Sequence, residues 1–250
     1  MIHFIGAGCG DPDLITVKGM KILQKADAVL YTGSLVPKEV LTWCKDDAII
    51  QDSQGMKYPE IFGFLEKYDS KEKIVVRLHT GDTSIYSTIA KQIEYLKTKD
   101  IKYTVIPGVS AAFGAAASLG IEYTIPGVSQ TIVLTRVEGK TPNPESLENI
   151  LALKNSSLVF YLSILLLKKL KKQALEMGYS PDTPCWIVEK ATWNDEKVYK
   201  GTISDIENQV GHIKGIALIM FGDFLHQKET EESHLYVKPL VKELEEKLNI

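Results

Sequence analysis

His79 and Asp82 stand three residues apart around Gly81, and each is a side-chain type able to serve as a general base. Each also has a plainer use, His79 in filling space at a strand end and Asp82 in capping a following helix. No Ser/His/Asp or Cys/His set accompanies them, which argues against nucleophilic hydrolysis. Cys9, Cys44 and Cys185 show no CxxC or Cys/His ligand spacing, so neither a zinc site nor a disulfide framework is indicated and no metal is expected.

Anion recognition is the second chemistry on offer. Of 29 basic residues only Arg77 and Arg136 are arginine, and each ends an apolar strand-like run. A forked guanidinium there suits a carboxylate, although a neighbouring acidic side chain would serve as partner equally well. The loop Thr135-Arg136-Val137-Glu138-Gly139-Lys140-Thr141-Pro142-Asn143-Pro144 puts Arg136 and Lys140 on either side of Gly139, with two prolines stiffening its exit. That pattern can grip carboxylates at a pocket mouth, or form a charged surface loop. Gly6-Ala7-Gly8-Cys9-Gly10-Asp11-Pro12 invites a dinucleotide-binding reading, but Asp11 stands where GxGxxG needs its third glycine. No Gly-Lys-Ser/Thr follows, so it is not a P-loop either. It reads as a glycine turn that lets a ligand approach backbone.

The elements that must position these residues follow from periodicity. Ile74–Leu78 is an apolar, β-branched run that breaks at Thr80-Gly81-Asp82 and passes into a helical pattern over Ser84–Asp100. Val105-Ile106-Pro107-Gly108-Val109-Ser110-Ala111 repeats the layout, with a helix over Val109–Leu119. In an open α/β sheet such strand–turn–helix corners are where ligands bind. Upstream, strands are expected at Ile2–Gly6, Ala28–Thr32 and Ala48–Gln51, with helices over Leu14–Ala26, from Pro37, and over Tyr58–Tyr68; a further strand is expected at Tyr103–Ile106. Alternation over more than a hundred residues predicts a mainly parallel sheet covered on both faces.

Pro126-Gly127 marks a junction, which divides the chain into an N-terminal domain 1–119, a linker 120–127 and a C-terminal domain 128–250. The second half is expected to place strands at Gln130–Thr135, Ser157–Tyr161, Cys185–Lys190, Lys197–Thr202 and Ile216–Phe221. Helices fit Glu145–Leu153, Leu165–Met177 and a segment from Ser204, as N-cap, to His212. The short links late in the chain predict a mixed sheet. Val237–Ile250 reads as a terminal amphipathic helix, and Lys168, Lys169, Lys171 and Lys172 as a solvated helix face.

Composition bounds the function. Forty-four per cent hydrophobic and 24 per cent charged residues describe an ordinary globular protein, and a net charge of −3 offers no basic field for nucleic acid. The apolar runs are too short to span a bilayer and the amino terminus lacks a signal-peptide pattern, so a cytoplasmic protein without a membrane partner is expected.

Gly6-Ala7-Gly8-Cys9-Gly10-Asp11-Pro12-Asp13-Leu14-Ile15-Thr16, the Gly81-Asp82 turn, Pro107-Gly108-Val109-Ser110-Ala111 and Val159-Phe160-Tyr161-Leu162, in that order, resemble the tetrapyrrole methyltransferases. The likeness covers nearly the whole chain. Tyr31-Thr32-Gly33-Ser34-Leu35-Val36 and Thr135–Pro142 resemble the branch that methylates precorrin-4 or cobalt-precorrin-4 at C11 during corrin-ring synthesis for cobalamin. The resemblance implies two α/β domains with S-adenosylmethionine in the cleft between them, S-adenosylhomocysteine as its product, and a homodimer. Cofactor positions implied by it are Cys9, Thr80, Gly81, Asp82, Ile85, Ser110, Ala111, Tyr161, Leu162, Ala191 and Ala217. For the carboxylate-bearing tetrapyrrole it points to Arg136, Lys140 and Thr141, with Arg77 and Lys190; Asp82 is the acidic group nearest the methyl donor. Thr83 replaces a proline common in the family, and Leu162 a methionine. Two other readings remain beside it: a sibling enzyme methylating another ring position, and a non-catalytic sensor of S-adenosylmethionine.

Overall fold

Alternating β-branched and glycine-punctuated runs fold into two sheets in the computed structural model, which describes residues 1–33, 35–226 and 247. The first sheet uses β1 (Ile2–Gly6), β2 (Ala28–Tyr31), β3 (Ile49–Asp52), β4 (Val75–His79) and β5 (Tyr103–Ile106). Its order is β3-β2-β4-β1-β5, and every neighbouring pair is parallel. The connecting helices are α1 (Val17–Leu23), α2 (Tyr58–Tyr68), α3 (Ile89–Thr98) and α4 (Ala111–Leu119). Burial on both faces explains why the central strands are almost continuously apolar. One face packs Ile5, Val29, Val76, Leu78 and Ile106 with Leu23 and Val40, and the other packs Phe4, Leu30 and Val75 with Ile61, Leu65 and Leu96.

The chain leaves β1 towards β2 on one side and leaves β4 towards β5 on the other. Their carboxyl ends are therefore a topological switch point, where an open parallel sheet forms a crevice.

The second sheet is mixed, in the order β6 (Ile132–Thr135), β7 (Ser157–Phe160), β10 (Ala217–Phe221), β8 (Pro184–Glu189), β9 (Lys197–Thr202). β6 and β7 run parallel, and β7 and β10 antiparallel. Its helices are α5 (Leu147–Leu151), α6 (Leu167–Glu176) and α7 (Ile206–Val210). The chain divides into one unit of residues 1–119, 188–198 and 215–218, and a second of 120–187, 199–214 and residues from 219 onward.

Several helix boundaries differ from expectation, each for a local reason. The first helix begins at Val17 because Thr16 caps it, its hydroxyl accepting from Gly19 N–H at 3.1 Å, and Pro12–Leu14 form a separate 3-10 turn. The segment after Pro37 is a 3-10 helix, Lys38–Trp43, with Pro37 as its N-cap. Ser84–Thr88 does not join α3, because Tyr86 and Thr88 adopt left-handed φ values of 51° and 58°. Asp205, not Ser204, stands at the N-cap of α7; the Ser204 hydroxyl pairs with Thr202 Oγ1 at 2.7 Å. The expected helix Val237–Ile250 lies outside the described residues, Lys247 excepted.

His79 closes β4 inside the first unit, 3% exposed and against the Phe4 ring, and its Nε2 has no hydrogen-bond partner among the described residues. Burial, and then the nearby Arg77 charge, lower its pKa from 6.5 to about 3, so the ring is neutral in the fold. Unfolded chains take up this proton near pH 6.5 and folded ones only near pH 3, so acidification favours unfolding across that window. We expect His79 to cost stability at roughly 1.4 kcal/mol per pH unit as pH falls through it. Urea titrations of the protein and of His79→Leu at several pH values test this. The substituted protein should show a shallower pH dependence, and parallel slopes would contradict the assignment.

Candidate functional site

Three glycines from three strand ends build the floor of the switch point. Gly6 ends β1, Gly81 follows β4 and Gly108 follows β5. A Cβ on Gly108 would lie 2.2 Å from the Gly81 carbonyl oxygen and 2.8 Å from Gly6 C, and one on Gly6 would lie 2.6 Å from that oxygen. No side chain fits. Above them Gly8 and Gly81 form an antiparallel bridge, Gly81 N–H donating to Gly8 O at 2.7 Å and Gly8 N–H to Gly81 O at 3.3 Å. Gly8 and Gly81 have φ of 82° and 62°, a region that favours glycine.

Asp82 ties the next layer together. Its Oδ2 accepts from Gly108 N–H at 2.8 Å, and its Oδ1 accepts from the N–H of Ser84 at 2.8 Å and from the Ser84 hydroxyl. Partial burial opposes ionisation, but these donors outweigh it and hold the carboxyl below the usual aspartate range. Asp82 is therefore a charged clamp between two βα loops and a poor proton acceptor at neutral pH. It does not cap α3, whose N-cap is Thr88.

Cys9, Gly81, Asp82, Ser110, Ala111 and Ala191 come together in this region. A Cβ on Gly81 would be 3.7 Å from Ser110 Cα and 3.8 Å from Ala111 N, and one on Gly114 would meet Cys9 Sγ at 2.3 Å. Cys9 is buried, and desolvation raises its thiol pKa despite the Thr192 hydroxyl at 3.3 Å. Thr80 and Ile85 flank the Gly81-Asp82 turn, with Ile85 N–H on Asp82 O at 3.4 Å. Ala217 is buried at the start of β10. In the second unit Tyr161 follows β7, and Leu162 is left-handed (φ 52°) and 68% exposed. A non-glycine residue in that conformation is uncommon.

The residues expected at the tetrapyrrole are placed unevenly. Arg77 is 5% exposed; its guanidinium donates to Leu30 O at 3.1 Å, and at 3.4 Å to both Gln92 Oε1 and Thr32 Oγ1. Burial lowers its pKa to about 10, which leaves it charged, with its donors spent inside the first unit. Arg136 folds back on its own loop, donating to Thr141 O at 2.9 Å and to Pro142 O, while Asn143 Nδ2 donates to Arg136 O at 3.1 Å. Lys140 and Thr141 are exposed on that loop. Lys190 pairs with Asp195 and lies over the Trp193 ring at 5.7 Å.

Thr192, Trp193 and Glu196 escaped the sequence reading, although each touches the region. A tryptophan in a short polar link between two strands is the signal that marks them. Among the described residues, no group of three or more His, Cys, Asp and Glu side chains could hold a metal ion, and no helix is long and apolar enough to cross a membrane.

A switch-point crevice floored by glycines is the place where an open parallel sheet takes a ligand close to its main chain. The chain belongs to the tetrapyrrole (corrin/porphyrin) methylases, whose family model matches residues 1–207. Within that family it is 44% identical to the cobalt-precorrin-4 C(11)-methyltransferase of Methanocaldococcus jannaschii, covering 95% of this chain and 93% of the relative. It is 41% identical to the Priestia megaterium enzyme of the same name (95% and 94% covered). The X-ray structure of a cobalamin biosynthetic enzyme, cobalt precorrin-4 methyltransferase, superposes with a TM-score of 0.86 at 41% identity, covering 90% of this chain and 95% of that one. Uroporphyrin-III C-methyl transferase from Thermus thermophilus, complexed with S-adenosyl homocysteine, shares the fold at 24% identity and TM-score 0.76, with 93% and 96% covered.

Gly108→Ala forces a Cβ into the Gly81 carbonyl, and we expect it to destabilise the protein by about 1–3 kcal/mol, the usual range for overpacking. Chemical denaturation checks this; a loss below about 0.5 kcal/mol, the scale of a neutral surface change, would show that the loops separate freely.

Proposed function

We propose that this protein transfers a methyl group from S-adenosylmethionine to C11 of precorrin-4 or cobalt-precorrin-4 during corrin-ring synthesis. The observation that carries the reading is the convergence of Cys9, Gly81, Asp82, Ser110 and Ala111 at the β1/β4 switch point, in a chain 44% identical to an enzyme of that name. The residues fit the donor: glycines leave backbone approachable, and Ser110 and Ala111 stand beside Gly81, with Ser110 Cα and Ala111 N 3.7 Å and 3.8 Å from where its Cβ would be. When bound, S-adenosylmethionine supplies an electrophilic methyl group and leaves as S-adenosylhomocysteine, the ligand held by the Thermus thermophilus relative.

Such a methyl is already activated, so the chain has to orient it and exclude water, for which proximity is the main source of rate. Asp82 contributes by fixing the two loops, and the Gly8–Gly81 bridge by fixing the first loop against them. Cys9, Thr80, Ile85, Tyr161, Leu162, Ala191 and Ala217 complete the donor-binding set in this reading. Arg136 shapes the Thr135–Pro144 loop so that Lys140 and Thr141 meet the carboxylates of the tetrapyrrole; Lys190 adds charge, and Arg77 acts from inside by bracing the ends of β2 and β4. The protein acts as a homodimer in the cytoplasm, a compartment that suits its three unpaired cysteines.

The decisive assay supplies methyl-labelled S-adenosylmethionine with precorrin-4 and, in parallel, with its cobalt-loaded form. A product one methyl group heavier, labelled at C11, is expected from at least one. Label at another carbon would make the protein a sibling enzyme, and tight S-adenosylmethionine binding without transfer would make it a sensor. Arg136→Ala releases the carbonyls of Thr141 and Pro142, and should raise the tetrapyrrole KM about tenfold, the scale of one charge-assisted hydrogen bond, with donor affinity unchanged. Equal losses of both would assign the loop a general structural role.

A further inference from the structure

The link between β8 and β9 holds a chain of contacts that the methyl-transfer reading leaves unused. Lys190 and Thr192 both adopt left-handed backbone, with φ of 53° and 65°. For a β-branched threonine this is a true outlier, and it persists only where surrounding contacts over-determine it. The Glu196 carboxylate supplies them. Its Oε2 accepts from Thr192 N–H and, at 3.0 Å, from the hydroxyl of Ser118 on α4. Trp193 N–H on Lys190 O and Glu196 N–H on Trp193 O, each at 3.0 Å, close the turn.

The turn so held clasps the glycine loop after β1. Thr192 Oγ1 accepts from Asp11 N–H at 3.0 Å and shares a hydrogen bond with Cys9 Sγ at 3.3 Å, while Trp193 Nε1 donates to Cys9 O at 2.9 Å. The fit leaves no slack: a Cβ on Gly10 would lie 2.4 Å from Trp193 Cδ1 and 2.7 Å from both Ala191 O and Thr192 Oγ1. Over 180 residues of sequence separate loop and turn, so tertiary contacts alone set the position of the Cys9 backbone.

We propose that Glu196 is a positioning residue for the methyl-donor site: it locks Thr192 in its left-handed conformation, and Thr192 with Trp193 then holds the Gly8–Asp11 loop against α4. The inference rests on the donor-site reading above. Donor affinity depends on a carboxylate that acts wholly through Thr192 and Ser118, and the loop is built before ligand arrives, which lowers the ordering cost of binding.

The test uses the full chain, calorimetry with S-adenosylhomocysteine, and mass spectrometry of the Cys9 peptide after timed exposure to N-ethylmaleimide. Glu196→Ala removes the lock, Thr192→Val removes the hydroxyl of the clasp that the lock holds in place, and each should weaken S-adenosylhomocysteine about tenfold, the scale of one charge-assisted hydrogen bond. Glu196→Gln keeps an oxygen that accepts both donors, and Thr192→Ser keeps the hydroxyl, so both should stay within about threefold of the parent. Cys9 labelling should accelerate in the first pair and not in the second. Unchanged affinity and labelling in the first pair overturn the proposal, as does equal loss in Glu196→Gln. Should Glu196→Ala fail to fold, Glu196→Asp, which draws the carboxylate back by one methylene from Thr192 and Ser118, takes its place with the same losses expected, and parent-like affinity and labelling in it overturn the proposal. Should the parent bind no S-adenosylhomocysteine, the donor-site reading falls, and Cys9 labelling still tests the clasp: unaltered rates refute it.

Discussion

Close approach of three backbones at Gly6, Gly81 and Gly108 is the constraint on which the rest depends. Parallel strands stand side by side at a fixed spacing, and their following loops would normally splay to make room for side chains. Removing every Cβ at this point lets the loops collapse onto one another instead. The Gly81 carbonyl sits where two Cβ atoms would have been, and the Gly8–Gly81 bridge extends the pairing past the sheet. The crevice above is therefore walled by main chain, a surface with fixed dipoles and little freedom to rearrange.

A rigid main-chain wall also explains how the charged groups are used. Asp82, the one acidic side chain in the predicted turn, spends both oxygens on Gly108 and Ser84. Glu196 braces further along through one oxygen, Oε2, which accepts from both Thr192 and Ser118. Carboxylates that would be candidates for proton transfer elsewhere are here cross-braces between loops. Both carboxylates are engaged by backbone N–H and hydroxyl donors, so their charge serves to hold neighbouring segments together.

Much of this was legible in the residues. Period-two and continuous apolar runs located the strands, so that Tyr103–Ile106 and Lys197–Thr202 carry the expected bounds, as does the helix Tyr58–Tyr68. The Gly81-Asp82 and Pro107-Gly108 turns were visible as paired corners. Helix starts were less so, because side chains of Thr16, Asp82 and Asp205 offer backbone N–H groups an alternative to the helix, and such local competition leaves no periodic trace. Arg77 was visible as an unusual guanidinium, but its inward course depends on Gln92, Leu30 and Thr32 meeting in space. The turn from Lys190 to Glu196 was hidden for the same reason: its partners lie at the other end of the chain, and nothing short-range announces a threonine in left-handed backbone.

The first unit is discontinuous along the chain: residues 188–198 and 215–218 belong with 1–119. During synthesis, the ribosome releases the Gly8–Asp11 loop long before the threonine and tryptophan that clasp it exist. A nascent chain ending anywhere before Thr192 presents Cys9 and the Gly10 backbone unclasped, so the parallel sheet can assemble early while the loop after β1 waits. Splitting the gene at Gly120 would not yield two self-sufficient halves; the amino-terminal fragment would carry the floor of the site without the fastening that finishes it.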